Sequence, residues 1–255
     1  EFLYQAVTER VLLGNTCYPS SEFISKYPEI MRADPSSVAK LDNEFQLMKD
    51  SSKCEEDNLK RRRSSGHHTV NKSKNRNKNI VPDDSKRISL VTKADGKGDY
   101  INAVTVDSFE RKHAFIATQA PLAGTALDFW RAVWDWKCGV IVMLCPAEKL
   151  DPEEVYYPEK EGDTYSVPPF DIECGTMKSR HVTTRELTLS LSEKRNVLHI
   201  SVTSDLSKKS PKELMETFLC IYSWVKAQSA DEHSPVIVHC LDGSEWTGLY
   251  CAFCC

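Results

Sequence analysis

The chain has 255 residues, 40% hydrophobic and 27% charged, with a formal net charge of −4 at pH 7. That length suits one large domain or a domain with an appendage, and the composition excludes a disordered tail. No run approaches the roughly 18 apolar residues of a membrane helix, so no membrane span is expected, and no signal peptide is read at the start.

Charge is uneven along the chain: residues 1–90 carry 16 basic against 13 acidic side chains, and residues 91–255 carry 17 against 24. The first predicted element is a helix over 1–13, where Leu3, Val7 and Val11 share a face and Gly14 is a stop. Pro19, Ser20, Ser21 and Pro28 mark a linker over 15–35. A second helix is predicted from Ser36 or Ser37, with Val38, Leu41, Phe45 and Met48 spaced 3, 4 and 3. The polar stretch 51–78 is expected to bury nothing. Within it, 60–78 holds eight basic residues and no acidic one, which reads as a solvated loop before it reads as a nucleic-acid or localisation patch. Arg62-Arg63-Ser64-Ser65 fits a basophilic-kinase target, a short and common pattern.

From residue 79 the texture changes to short apolar runs between turns, and strands are predicted at 87–92, 100–106, 114–118, 139–144, 171–174, 186–191, 197–202 and 235–240. Thr125-Ala-Leu-Asp128 has the capping-box pattern and opens a helix with Leu127, Trp130, Val133 and Trp134 inward. Ser210-Pro211-Lys-Glu213 opens another, with Leu214, Phe218, Ile221, Tyr222 and Val225 on one side. Trp130, Trp134 and Trp136 read as packing residues rather than a cofactor box. The expected fold class is α/β (α+β), a central twisted mixed β-sheet flanked by helices. The ten cysteines are scattered, which points to reduced thiols. The Cys251-Ala-Phe-Cys254-Cys255 cluster has no second ligand pair, so no metal site is expected.

The chemically informative segment is Val236-Ile-Val-His239-Cys240-Leu241-Asp242-Gly243-Ser244-Glu245-Trp246-Thr247-Gly248. A buried strand ends in His-Cys, and a tight glycine loop leads to a helix expected from Thr247. A cysteine placed there faces loop amides and a helix N-terminus, a setting that favours thiolate chemistry and an anion. The segment resembles the signature of the protein-tyrosine phosphatase family: His-Cys, five residues, Arg, then Ser/Thr-Gly. Other blocks agree in order. Asn71-Lys-Ser-Lys-Asn-Arg76 with Asn79-Ile-Val-Pro82 resembles the family's phosphotyrosine loop, and Asp99-Tyr-Ile-Asn-Ala103 its "DYINA" strand. Phe115-Ile-Ala-Thr-Gln-Ala-Pro-Leu122 with Asp128-Phe-Trp-Arg131 resembles "ATQGPL…DFWR", and Ile141-Val-Met-Leu144 and Tyr156-Tyr-Pro158 fall where "VML" and "YWP" belong.

The resemblance implies a phosphatase-like fold, incomplete at the C-terminus because the family continues past the signature helix. It implies residues 1–14 as the closing helix of a preceding phosphatase domain, 15–35 as a linker, and 36–255 as a truncated phosphatase-like domain. That is the second, membrane-distal domain of a receptor-type phosphatase, on the cytoplasmic side of a single-pass receptor in the plasma membrane. The implied partners are the preceding domain of the same receptor and phosphotyrosine signalling proteins. No cofactor, metal or nucleic acid is implied.

Departures from the family pattern bear on function. The signature arginine grips phosphate through two parallel hydrogen bonds; here Trp246 stands in its place, with one donor and no charge. Glu245 replaces the preceding glycine, and Asp242 stands where a small residue is usual. Losing a desolvated charge pair costs roughly 2–5 kcal/mol. The family's Trp-Pro-Asp falls on Thr203-Ser204-Asp205, so Asp205 is the candidate general acid without its hinge. The tyrosine that walls the substrate ring is replaced by Asn77, and Asp83 stands where a second tyrosine is typical. His239 reads as a structural hydrogen-bonding residue beneath the loop, and Asn75-Arg76 as a tie between loops. The expected function is therefore a catalytically silent regulatory or docking module, with Cys240 and Asp205 vestigial. The alternative is an active phosphatase, with Cys240 attacking phosphotyrosine and Asp205 protonating the leaving phenol. A third reading is an anionic-lipid or nucleic-acid binder acting through 60–78.

Overall fold

The computed structural model describes residues 62–228 and 234–255, together with positions 19, 21, 22, 25, 39, 42, 43 and 45–47. The chain divides into two compact units, Glu1–Arg62 and Arg63–Cys255. The helix predicted over 1–13 lies outside the described residues, and so does most of the linker. Positions 39, 42, 43 and 45–47 are helical, inside the second predicted helix. Ser21, Glu22 and Ser25 are helical as well, where an irregular linker is predicted. Pro and Ser open helices as readily as they end them.

The second unit carries a sheet of nine strands: β1 (Arg87–Ser89), β2 (Tyr100–Val106), β3 (Phe115–Gln119), β4 (Val140–Met143), β5 (Thr164–Val167), β6 (Phe170–Ser179), β7 (Val182–Ser190), β8 (Lys194–Val202) and β9 (Val236–Cys240). Their spatial order is β1-β2-β3-β9-β4-β8-β7-β6-β5. The inner four, β3, β9, β4 and β8, run parallel, and the outer pairings are antiparallel. Three longer helices cover the sheet: α1 (Ala126–Asp135), α2 (Pro211–Gln228) and α3 (Glu245–Phe253).

The inner strands are continuous apolar runs because both of their faces are covered. In β4, Ile141 and Met143 pack with Phe129, Trp130 and Val133 of α1, while Val140 and Val142 pack with Phe218, Ile221 and Val225 of α2. All four β4 side chains are buried. Burying each such side chain contributes roughly 1.5–3 kcal/mol. All eight predicted strands overlap observed ones, and β2 coincides with its prediction. Strand β1 is shorter than 87–92, whereas β6 and β7 are longer than predicted and close a hairpin with a bulge between Cys174 and Met177. Strand β5 was not predicted. It is an edge strand whose Thr-Tyr-Ser-Val sequence leaves alternate residues exposed, so no apolar run announces it.

Helices α1 and α2 start where the sequence predicts them, but only one uses the predicted chemistry. At α2, the Glu213 carboxylate accepts from Ser210 N (2.8 Å) and Ser210 Oγ accepts from Glu213 N (3.4 Å), the reciprocal pair of a capping box. At α1, Thr125 makes no side-chain cap bond. Its Oγ1 accepts from Leu122 N at 2.8 Å, and Asp128 is instead drawn into ion pairs with Lys74 and Arg131, each at 2.9 Å. Asp128 is fully buried, so the two cations are what makes its charge tolerable there. The basic stretch is corrected by the same observation. Lys74 is tied to Asp128, and Arg76 pairs with Glu154 at 2.8 Å, so its C-terminal part belongs to the fold and is not a solvated loop.

Candidate functional site

Strand β9 builds the site by alternation. Val236, Val238 and Cys240 join the cluster on the α2–α3 side, while Ile237 packs on the α1 side. His239 faces α1 too, with its ring centroid 5.9 Å from that of Phe129. Cys240 is 2% exposed and ends the strand. Ala120 N donates to the Cys240 carbonyl at 3.0 Å and to that of Leu241 at 3.1 Å, pinning the strand end to the end of β3. Gly243 turns the loop with φ +80°, and a Cβ there would lie 2.6 Å from Gln119 N and Thr118 C. Only glycine combines that dihedral with that approach.

The loop folds an acid onto its own cysteine. Asp242 Oδ1 accepts from Ser244 N and Ser244 Oγ, each at 3.1 Å, and from Cys240 Sγ at 3.5 Å. The carboxylate therefore stands beside the sulfur, a negative charge where an attacking thiolate would carry its own. Helix α3 starts at Glu245, two residues before the predicted Thr247. Glu245 is exposed in its first turn, and Ser244 is the N-cap residue. Trp246 packs partly buried against the α2–α3 cluster, and Leu241 against the α1 cluster. Thr247 is fully buried, and its Oγ1 has no hydrogen-bond partner among the described residues.

Below the loop lies a directed hydrogen-bond chain. His239 Nδ1 is 3.1 Å from the Cys240 carbonyl, which only accepts, so Nδ1 carries the proton. Its Nε2 then accepts from Tyr156 Oη at 2.7 Å. Tyr156 Oη has spent its proton, so His199 Nε2, at 3.0 Å, donates to it. His199 Nδ1 is left as a buried acceptor with no partner among the described residues. Burial pushes the His239 pKa down to about 4, and burial with the nearby Arg185 and His239 lowers that of His199. Both rings are neutral at pH 7. His239 is thus held between the Cys240 carbonyl and Tyr156.

The C-terminal ends of the adjacent parallel strands β9, β4 and β8 all lead toward this region, as in open sheets generally. Beyond β8, Asp205 pairs with Lys149 at 2.6 Å, and its other oxygen accepts from Ser207 N at 3.1 Å. The hydrogen bond from Lys149, followed by that from the Ser207 backbone, holds its pKa down to about 2. A carboxyl that acidic is a poor proton donor near neutrality.

Asn77 presents no wall for an aromatic ring. Its Oδ1 accepts from Asn79 N at 2.9 Å, closing a local turn, and Asp83 Oδ1 does the same for Ser85 at 2.7 Å. The 71–79 segment is fixed to β3 by Gln119, whose Oε1 accepts from Arg76 N (3.0 Å) and Asn102 Nδ2 (3.1 Å) and whose Nε2 donates to the Lys74 carbonyl (3.0 Å). Gln119 is paired with Cys240 in the sheet, so one side chain links the two loops. No sequence pattern singles out Lys149 or Gln119, although Gln119 lies inside the Phe115–Leu122 block. Asn75 bridges Tyr100 Oη (2.6 Å) and the Gly66 carbonyl (2.9 Å), the loop-tying role expected of the Asn75-Arg76 pair. Among the described residues, no group of three or more His, Cys, Asp or Glu side chains is arranged to hold a metal ion, and no helix is long and apolar enough to cross a membrane.

A family model described as protein-tyrosine phosphatase matches residues 71–255. The chain is 29% identical over 268 residues to receptor-type tyrosine-protein phosphatase U of Gallus gallus, covering 98% of this chain and 18% of that protein. It is 28% identical over 259 residues to receptor-type tyrosine-protein phosphatase alpha of Homo sapiens, covering 98% and 31%. It thus spans under a third of the length of either relative. Among solved structures, PTPN18 in complex with HER2 phosphopeptides superposes with a TM-score of 0.79 at 26% identity, covering 92% of this chain and 82% of that one. The catalytic domain of human protein tyrosine phosphatase non-receptor type 18 gives 0.72 at 27% identity, covering 85% and 79%.

Proposed function

Because the chain belongs to the protein-tyrosine phosphatase family, we propose that it is a catalytically silent phosphatase-like domain serving a receptor-type phosphatase as a regulatory or docking module. One contact carries this reading: the Asp242 carboxylate accepts from Cys240 Sγ and from Ser244 inside the loop that would have to hold phosphate. A dianion arriving there meets a fixed negative charge, and Trp246 supplies no cation to offset it. The ion pair of Asp205 with Lys149 supports the same reading, since it leaves the candidate acid ionised. Cys240 and Asp205 are then vestigial, and His239 and residues 241–247 persist as architecture.

The similarity to receptor-type relatives over 98% of the chain supports the domain arrangement in this proposal. Residues 1–14 close a preceding phosphatase domain, residues 15–35 link to the present one, and both domains lie on the cytoplasmic side of a single-pass plasma-membrane receptor. The preceding domain is one partner. Phosphotyrosine signalling proteins are the other, a suggestion supported by the phosphopeptide complex of the solved relative. The test is turnover of a generic aryl phosphate by the purified chain beside its Cys240→Ser variant. Equal rates are expected. Clear Cys240-dependent turnover would overturn the silent reading in favour of an active phosphatase working through a cysteinyl-phosphate intermediate.

A further inference from the structure

The second compact unit begins at Arg63, the last of three consecutive arginines in the sequence, followed by two serines, and the structure gives the first serine a definite job. Ser64 donates to Asp84 Oδ2 twice, through its N at 2.9 Å and its Oγ at 2.7 Å, and Ser65 N donates to Asp84 Oδ1 at 3.1 Å. These bonds anchor the helical turn Ser64–His67, whose Gly66 is pressed on Val81: a Cβ at Gly66 would stand 2.7 Å from Val81 Cβ. The turn in turn holds the 71–79 loop. Asn71 Nδ2 donates to the Ser65 carbonyl and Asn75 Nδ2 to the Gly66 carbonyl, each at 2.9 Å. Asp84 therefore fastens a turn, and that turn fastens the loop bearing Asn77.

Ser64 is exposed, and in sequence Arg61 and Arg62 stand three and two residues before it. Ser65 has the same spacing to Arg62 and Arg63, but it is half-buried. A four-residue turn that buries only Gly66 opens at low cost, as a kinase needs. We propose that Ser64 is a phosphorylation site for an arginine-directed serine kinase, and that phosphate there unfastens the 71–79 loop. In the reaction Ser64 Oγ attacks the γ-phosphorus of ATP. The new Oγ–P bond forms as the bridging P–O bond to ADP breaks, and the hydroxyl proton passes to the kinase's base. The product places a charge of about −1.5 to −2 where the hydroxyl had donated to a carboxylate. The donor is lost, and two anions oppose each other across one hydrogen-bond length. The inference goes beyond the silent reading and holds whether or not the domain turns over substrate.

The experiment uses the full chain with the catalytic subunit of cyclic-AMP-dependent kinase and magnesium ATP, followed by mass-spectrometric site mapping and hydrogen exchange. The expected result is one phosphate on Ser64, absent from a Ser64→Ala variant, with amide exchange over 64–79 accelerated roughly tenfold or more. Asp84→Ala, which removes the acceptor without adding charge, is expected to accelerate the same segment in the absence of kinase. No incorporation, incorporation at Ser65 alone, persistence in Ser64→Ala, or unchanged or slowed exchange over 64–79 in the phosphorylated chain would each overturn the proposal.

Discussion

Beneath residues 240–247, Tyr156 bridges two buried histidines and Gln119 ties three segments together. Above, the loop turns an acid onto its own cysteine and sends an indole toward the core. His239 and Cys240 are neighbours in sequence, yet they sit on opposite faces of one strand and belong to these two different regions. The floor is satisfied through nearly all of its donors and acceptors, whereas the mouth carries Trp246 and turns Asp242 onto Cys240. The contrast teaches that the architecture of a site and its chemistry are separable. Floor residues are held by partners inside the protein, whereas residues at the mouth of a site are also shaped by what they must bind.

The largest expected effect is at the joint between the regions. Gly243→Ala puts a Cβ against the backbone of Thr118 and Gln119 in a left-handed conformation, and neither atom belongs to a flexible side chain. A loss of about 3 kcal/mol or more is expected by chemical denaturation. A near-neutral result would mean that the mouth does not bear on the floor.

Next in size is a pH effect that belongs to the floor alone. The folded pKa of His239 lies near 4, below its ordinary 6.5, so between these values the unfolded chain binds the extra proton. Its contribution is complete above pH 6.5 and is lost as pH falls toward 4, for a total of about 3 kcal/mol; His199 acts in the same direction. Urea midpoints measured from pH 7.5 to 4.5 should fall accordingly. A flat profile would break the picture of a neutral floor.

The smallest stability effect is expected at the mouth. Asp242→Asn keeps an acceptor for Ser244 and removes the charge, so stability should move by no more than about 1 kcal/mol. What should change is anion tolerance: tungstate is expected to raise the thermal midpoint of the variant and not that of the parent chain. Equal shifts in both would show that Asp242 is not what keeps the loop closed to anions.

The sheet was largely legible because inner parallel strands must be apolar on both faces, which leaves runs such as Val140–Met143 and Val236–Cys240 in plain sight. Strand β5 was not, since an edge needs no such run. The phosphatase-like loop was legible as a string, and so was the replacement at Trp246. The inward turn of Asp242 was not, because it depends on the φ of Gly243 and on where Ser244 N points. The pairs Lys149–Asp205 and Lys74–Asp128 were also hidden, because spacing along the chain carries no information about ion pairs closed by tertiary folding. Asp128 shows the cost of reading locally: its position suggested a cap, and two cations from elsewhere claimed it.

Strand β9 is the last of the nine in the chain, yet it lies between β3 and β4. Without residues 236–240 the sheet would be two halves, each with an open inner edge that invites pairing with other chains. The His-Cys strand is thus the piece that joins the halves, over long sequence separations. Whatever chemistry the loop supports, the fold cannot do without this strand, because what would be lost is the seam between two half-sheets.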